Sequence, residues 1–170
     1  MNESEKGAKE YLEDLGFIVE INDDGQPPKG FKMPDFYIRK GNSFKAYCEF
    51  KQLQSIMEEG QVKPRKIFNK LFSKLKKSGK QLKLNYKNLI HFTPNIAFLN
   101  CTDSSITKFD VRDVLRDEST IPINGFKSFS ESMRLTVDKY LIHNIDMILI
   151  TNNNFQHEHA FLDQVNSKKA

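Results

Sequence analysis

Three residues in the first third of the chain have the types and the spacing needed to hold a metal ion beside a reactive water. Asp35 is followed, after thirteen intervening residues, by Glu49 and then by Lys51. Two carboxylates can bind a divalent cation that activates a water, and a lysine can help to polarise that water. All three side chains must lie on one face of a sheet, so the elements that carry them decide whether a site exists.

The segments around these residues are predicted to form a β-hairpin. Residues 35–39 and 44–51 alternate in polarity, which is the pattern of strands. In the second strand one face is apolar and the other polar, with Phe44, Ala46, Cys48 and Phe50 opposed to Lys45, Tyr47, Glu49 and Lys51. The hairpin therefore has one face for the core and one that gathers the candidate catalytic groups.

The length of the hairpin loop decides whether the two carboxylates meet. Directly opposed residues of an antiparallel pair share a face, with Cβ atoms about 4.5 to 5.5 Å apart. A three-residue loop at 41–43 pairs Lys40 with Phe44 and places Asp35 opposite Glu49. A four-residue turn would put the carboxylates on opposite faces. We predict the three-residue loop or an equivalent bulge.

A strongly basic segment follows the hairpin. Residues 63–87 contain ten Lys or Arg and no acid, whereas the rest of the chain has 16 basic and 22 acidic residues. A basic segment on an acidic body favours a polyanionic partner, although lysines can also simply solvate a helix face. We predict a helix from 64 to about 84, with a possible break at Gly79. The candidate nucleic-acid contacts on it are Lys66, Lys70, Lys74, Lys77, Lys80 and Gln81.

The remaining patterns predict an α/β domain with a mixed central sheet of about five strands flanked by helices. A helix at 3–15, strands at 17–21, 95–101 and 145–151, and helices at 109–117 and 130–143 complete it. We expect one domain at 1–151 and a weakly structured tail at 152–170. The His157-Glu158-His159 run lies in that tail and is predicted to be solvated rather than metal-bound.

Composition restricts the class of protein. With 38% hydrophobic and 28% charged residues, the chain is typical of a globular domain. No apolar run approaches the roughly 18 residues of a membrane span, and the polar N-terminus has no signal-peptide core. Two cysteines, Cys48 and Cys101, are too few for a disulfide scaffold. We expect a cytoplasmic protein with both thiols in its core.

Together these residues resemble the PD-(D/E)XK phosphodiesterase superfamily, the nucleases of the restriction-endonuclease-like fold. The resemblance rests on Pro34-Asp35 and Glu49-Phe50-Lys51 in a hairpin that follows a helix and a strand and precedes a further helix. It implies that Asp35, Glu49 and the backbone carbonyl of Phe50 bind one or two Mg²⁺ ions, for which Mn²⁺ could substitute. It also implies that Lys51 orients and helps to deprotonate the attacking water.

The resemblance suggests two further positions. Many members carry a helix glutamate eleven residues before a Gly-aromatic pair, and Gly16-Phe17 makes Glu5 the matching residue. Glu10 is a rival about 140° around the helix, so at most one of them faces the site. An exonuclease branch carries Gln-x-x-x-Tyr, but Tyr86 lies one residue too far from Gln81. This departure favours an endonuclease and leaves Gln81 as a substrate contact.

The sequence thus predicts a Mg²⁺-dependent nuclease, and the resemblance favours DNA over RNA as its substrate, with a role in restriction, mobile-element defence or repair. Double-strand cutting would need a homodimer or a place in a larger assembly, because each site cuts one strand. Two alternatives stay open. One is a catalytically inactive nucleic-acid-binding domain of the same fold, and the other is a protein-interaction module whose polar strand face is inert.

Overall fold

A mixed six-stranded sheet with a helix against each face forms the described part of the molecule. The computed structural model describes residues 1–21, 26–54, 64–85, 93–102, 144–152, 154–155 and 157–164. Its elements are α1 Glu3–Asp14, β1 Ile18–Ile21, β2 Phe36–Lys40, β3 Phe44–Leu53, α2 Pro64–Lys83, β4 Asn95–Cys101, β5 Met147–Asn152 and β6 His157–Gln164.

The strands lie side by side in chain order, β1-β2-β3-β4-β5-β6. The first three are antiparallel, β3, β4 and β5 are parallel, and β6 is antiparallel to β5. The predicted α/β class with a mixed sheet is confirmed. The restriction-endonuclease-like identity of this core stays a prediction.

Helix α1 has strong local start and stop signals. The Asn2 side chain accepts a hydrogen bond from the Glu5 amide, and the Glu5 carboxylate accepts one from the Asn2 amide, both at 2.9 Å. This capping box satisfies donors that an uncapped helix would leave unpaired. Gly16 follows the helix with φ of 84°, the left-handed conformation that terminates many helices. The buried stripe of α1 is Ala8, Tyr11 and Leu12.

Strand β3 is covered on both faces. Ala46, Cys48 and Phe50 pack with α1 on what we call the α1 face of the sheet. Tyr47 and Leu53 pack with α2 on the opposite side, the α2 face. The face that carries Glu49 and Lys51 is therefore largely buried under a helix, which the alternation of polarity along the strand could not show.

Helix α2 crosses the α2 face without interruption. It continues through Gly79 to Lys83, so the possible break at Gly79 was wrong. A glycine weakens a helix interior by about 1 kcal/mol, and the burial of Leu82 and of the other apolar residues on this side of the helix offsets that cost. Ile67, Leu71, Leu75 and Leu82 form the buried side of the helix.

The fold does not end at residue 151, so the predicted tail boundary was wrong. Asn154 and Phe155 form a turn with φ of 52° and 70°, and β6 then returns along β5. The Phe155 ring contacts Tyr11, Phe50 and Phe98 at centroid distances of 5.8, 6.2 and 6.0 Å. Contacts made after residue 151 thus add to the core. The His157-Glu158-His159 run begins strand β6 and does not form an unstructured tail.

The predictions for the cysteines, for a membrane span and for the two later helices can also be compared with the structure. Cys48 and Cys101 are buried in the core as predicted. No helix among the described residues is long and apolar enough to cross a bilayer. The helices predicted at 109–117 and 130–143 lie outside the described residues.

Candidate metal site and basic cleft

The β2–β3 hairpin has the register that the site requires. Lys40 pairs with Phe44 and Phe36 pairs with Cys48, so the loop contains the three predicted residues. Gly41, the first of them, has φ of 60°, which glycine adopts without strain. Asp35 lies one residue before β2, where continuation of this register places it opposite Glu49. The prediction of the loop length is confirmed.

The Asp35 carboxylate is attached to the neighbouring strand. Its Oδ2 accepts a hydrogen bond of 2.7 Å from the backbone amide of Phe50. Burial raises the pKa of Asp35 above its ordinary value, Lys51 and the Phe50 amide lower it, and the charge of Glu5 raises it further. Asp35 therefore lies within electrostatic reach of both Lys51 and Glu5.

Glu49 is the most strongly perturbed acid of the site. Its side chain is fully buried, and Oε1 accepts a hydrogen bond from the Lys51 ammonium. Burial raises the pKa of Glu49 to about 7, with the Asp35 charge as the second cause, while Lys51 and the nearby backbone amide of Asp35 lower it. The second oxygen, Oε2, is buried with no partner in hydrogen-bonding geometry among the described residues. Such an oxygen is costly unless a further cation or donor occupies the place beside it.

The two helix glutamates of α1 have different surroundings. The charge of Glu5 acts on the pKa of Asp35. Glu10 instead lies 3.9 Å from Lys6 in an exposed ion pair. Of the two candidates, the structure brings Glu5 towards the carboxylates, as expected if only one faces the site.

A cleft of about 540 Å³ opens at the carboxyl end of β3, where Gln52 directly follows Lys51 of the hairpin. Lys70 and Lys74 of α2 line it, and the described lining residues include no carboxylate; they are Ser4, Gln52, Leu53, Gln54, Asn69, Lys70, Ser73 and Lys74. Partial burial lowers the pKa of Lys74, with further lowering by the charges of Lys77, Lys51 and Lys70. The basic helix and the hairpin lysine thus form one positive region.

The other predicted contacts on α2 lie apart from this cleft lining. Lys77 and Lys80 are exposed, whereas Lys66 and Gln81 are half-buried. The structure brings Lys70 and Lys74 into the cleft and Lys77 close enough to act on Lys74. Lys66, Lys80 and Gln81 stay predictions as nucleic-acid contacts.

Three comparisons tested whether the chain has known relatives. No protein-family model, curated protein or solved structure matches it. The resemblance to the PD-(D/E)XK nucleases therefore rests on the residues of this chain and on the geometry around them.

The carboxylates fit a hard divalent cation. Asp35 and Glu49 supply oxygen ligands, and Glu49 Oε2 is buried without a hydrogen-bond partner among the described residues. No group of three or more His, Cys, Asp or Glu side chains in the described ranges is placed to hold a metal. Two carboxylates nevertheless suffice for Mg²⁺, which keeps several waters in its coordination shell. The Phe50 carbonyl as a third ligand stays a prediction.

Sequence reasoning missed several polar residues near the site. Ser4, Gln52 and Ser73 line the cleft, and Asn100 and Thr151 are fully buried next to it in the sheet. The signal for Gln52, Asn100 and Thr151 was one polar residue near the carboxyl end of each of the three parallel strands. Without the register of β3, β4 and β5, that signal could not show that the polar residues meet.

Proposed function

We propose that this protein is a metal-dependent nuclease that hydrolyses the phosphodiester bonds of DNA. The observation that carries the proposal is the fully buried Glu49, which faces Asp35, pairs with Lys51 through one oxygen and leaves the other without a hydrogen-bond partner among the described residues. One buried carboxylate, Glu49, and one half-buried carboxylate, Asp35, form with the Lys51 ammonium a site that a divalent cation would neutralise. The lysines of the adjoining cleft supply a surface for a polyanion.

Asp35 and Glu49 would hold Mg²⁺, and Mn²⁺ could replace it, with the Phe50 carbonyl as a further ligand. The bound ion would polarise a phosphate oxygen and lower the pKa of a water. Asp35 is pre-oriented for this task because its carboxylate is fixed by the Phe50 amide. Such pre-organisation is worth more in a buried site than in water.

The role proposed for Lys51 is to orient the attacking water. Its ammonium donates to Glu49 Oε1, and its side chain is 19% exposed, so it connects the buried carboxylate with the solvent. The Lys51 ammonium at this position would hold the attacking water and stabilise the negative charge that develops on the phosphate. Glu5, near Asp35, would add negative charge to the metal site.

The proposal also covers the type of cleavage, the biological role, the location and the assembly of the protein. We propose endonucleolytic cleavage in restriction, mobile-element defence or repair, by a cytoplasmic protein that acts as a homodimer or within a larger assembly. DNA is preferred to RNA by the resemblance to the superfamily. Basic residues of α2 would bind the phosphates without reading the bases.

A plasmid-cleavage assay tests this proposal. The full chain is incubated with supercoiled plasmid and Mg²⁺ or Mn²⁺, because nicking of a closed circle reports only endonucleolytic cuts. Asp35→Ala and Lys51→Ala should each lower the rate by about 100-fold or more. Lys45→Ala, at an exposed position of the same strand, is the matched control.

The assay has two outcomes that contradict the proposal. Cleavage that survives both substitutions would reject the roles assigned to Asp35 and Lys51. Salt-sensitive DNA binding without cleavage under either metal would instead indicate the inactive binding domain.

A further inference from the structure

A chain of hydrogen-bonded polar side chains crosses three strands next to the basic cleft. In the sheet Gln52 is paired with Asn100, and Asn100 with Thr151. The Asn100 Nδ2 donates to Gln52 Oε1 at 3.2 Å, and the Thr151 hydroxyl donates to Asn100 Oδ1 at 2.8 Å. The three side chains thus form a continuous relay from the interior of the sheet to the cleft.

The interior part of this relay lies in apolar surroundings. Asn100 and Thr151 are fully buried, and Phe98 and Leu149 precede them on the same face of the sheet. Buried amides and hydroxyls are costly unless paired, and a paired network fixes the orientation of its members. In the structure this network orients the Gln52 amide with Oε1 towards Asn100.

That orientation decides what Gln52 offers to the cleft. Because Oε1 is engaged by Asn100, the remaining polar group of the amide is its Nε2, a donor. Gln52 lines the cleft together with Lys70, Lys74, Ser4 and Ser73, all of which can donate hydrogen bonds. A cleft whose described charged side chains are cations, and to which the Gln52 amide presents a donor, is suited to an anion.

We infer that this cleft binds a phosphate of the nucleic-acid chain other than the one that is cleaved, with Gln52 as its oriented donor and Asn100 and Thr151 as positioning residues. This inference rests on the proposed function. It adds that the substrate class is a polynucleotide with at least two phosphates, since a simple phosphodiester would reach the carboxylates without filling the cleft.

Gln52→Glu is the sharpest test because it is nearly isosteric. The glutamate keeps an oxygen for the Asn100 donor but replaces Nε2 with a carboxylate oxygen. Binding of a fluorescent duplex oligonucleotide, measured by anisotropy in EDTA, should weaken about tenfold or more. Lys74→Ala should weaken binding and lower the salt dependence by about one ion. Lys76→Ala, on the same helix but outside the described cleft lining, should change the affinity by less than about twofold.

Thr151 tests the relay away from the cleft. Thr151→Val removes the hydroxyl that donates to Asn100 and should raise KM for DNA with little change in kcat. Thr151→Ser should restore the wild-type KM. Thermal melting shows that each variant is folded.

The outcomes separate this inference from the proposed function. Wild-type DNA affinity in Gln52→Glu, or an equal KM change in Thr151→Val and Thr151→Ser, would overturn the inference. DNA cleavage could then still depend on Asp35 and Lys51, and the proposed function would stand. If Gln52→Glu weakens binding but the wild-type protein cleaves no DNA, the cleft assignment holds and the nuclease proposal fails.

Discussion

The backbone amide of Phe50 donates a hydrogen bond of 2.7 Å to Oδ2 of Asp35. This contact ties the residue before β2 to the strand that carries Glu49 and Lys51. Both carboxylates are consequently held near each other in a partly dry site, where burial, and secondly the charge of Asp35, raise the pKa of Glu49. A protein keeps such a pair at a cost to its stability when the pair has a function.

Asp35→Asn should raise stability and abolish cleavage. The amide oxygen of asparagine can still accept the Phe50 hydrogen bond, but the charge that repels Glu49 is removed. We expect a higher Tm at pH 8 without metal, together with a plasmid-cleavage rate that is lower by about 100-fold or more. Asp14→Asn, an exposed position at the end of α1, is the control and should change neither quantity. A lower Tm for Asp35→Asn would contradict the repulsion between the two acids.

The raised pKa of Glu49 predicts that stability falls as pH rises. Its pKa is 4.5 in the reference state and about 7 when folded. Between these values the folded protein binds more protons than the unfolded chain, so the free energy of unfolding decreases as pH increases. Urea unfolding in EDTA should show a loss on the order of a few kcal/mol across this window, with little further loss from this group above about pH 8.

Two changes should remove that slope. Glu49→Gln has no carboxyl group to titrate, so its stability should be nearly constant over the same pH window. Mg²⁺ should stabilise the wild type more at pH 8 than at pH 5.5, since a carboxylate must lose its proton to bind the ion. A wild-type stability that rises from pH 5 to pH 7 would contradict the buried, protonated Glu49.

Glu5 and Glu10 provide a matched pair on α1. Glu5→Gln keeps a side chain that can complete the capping box but removes the charge that acts on Asp35. Metal affinity, measured by calorimetry with Mn²⁺, should fall by about tenfold. Glu10→Gln breaks only an exposed ion pair with Lys6 and should leave the affinity unchanged. Equal effects of both substitutions would reject a role for Glu5.

Phe155 should stabilise the fold although it lies beyond the predicted domain boundary. Phe155→Ala should lower the free energy of unfolding by about 2 to 3 kcal/mol. A Cβ at Gly7 would lie 2.8 Å from Cε2 of Phe155, so Gly7→Ala should not stabilise the wild type. In the Phe155→Ala background the same substitution should stabilise by up to about 1 kcal/mol. Equal effects of Gly7→Ala in both backgrounds would show that Phe155 does not pack there.

Local patterns predicted the parts of the fold that depend on neighbours in sequence. The capping of α1, the bounds of β4 and the three-residue loop between Lys40 and Phe44 all follow from local chemistry and from the parity of a hairpin. The parity also placed Asp35 opposite Glu49. These features need no knowledge of distant contacts.

Other features depend on contacts between distant segments, and the sequence could not show them. The burial of Glu49 requires α2 to cover the polar strand face, and the position of Phe155 requires β6 to turn back along β5. The relay from Thr151 to Gln52 requires the register of three parallel strands. Each is a tertiary property that polarity patterns do not encode.

Anomalous diffraction from crystals soaked in Mn²⁺ at pH 8 tests the central claim most directly. The carboxylates are largely ionised at that pH, so the ion should bind without competition from protons. We predict an anomalous peak coordinated by both Asp35 and Glu49, which disappears in Asp35→Asn. Saturating Mn²⁺ with no peak between these residues, or a peak that persists in Asp35→Asn, would contradict the metal site.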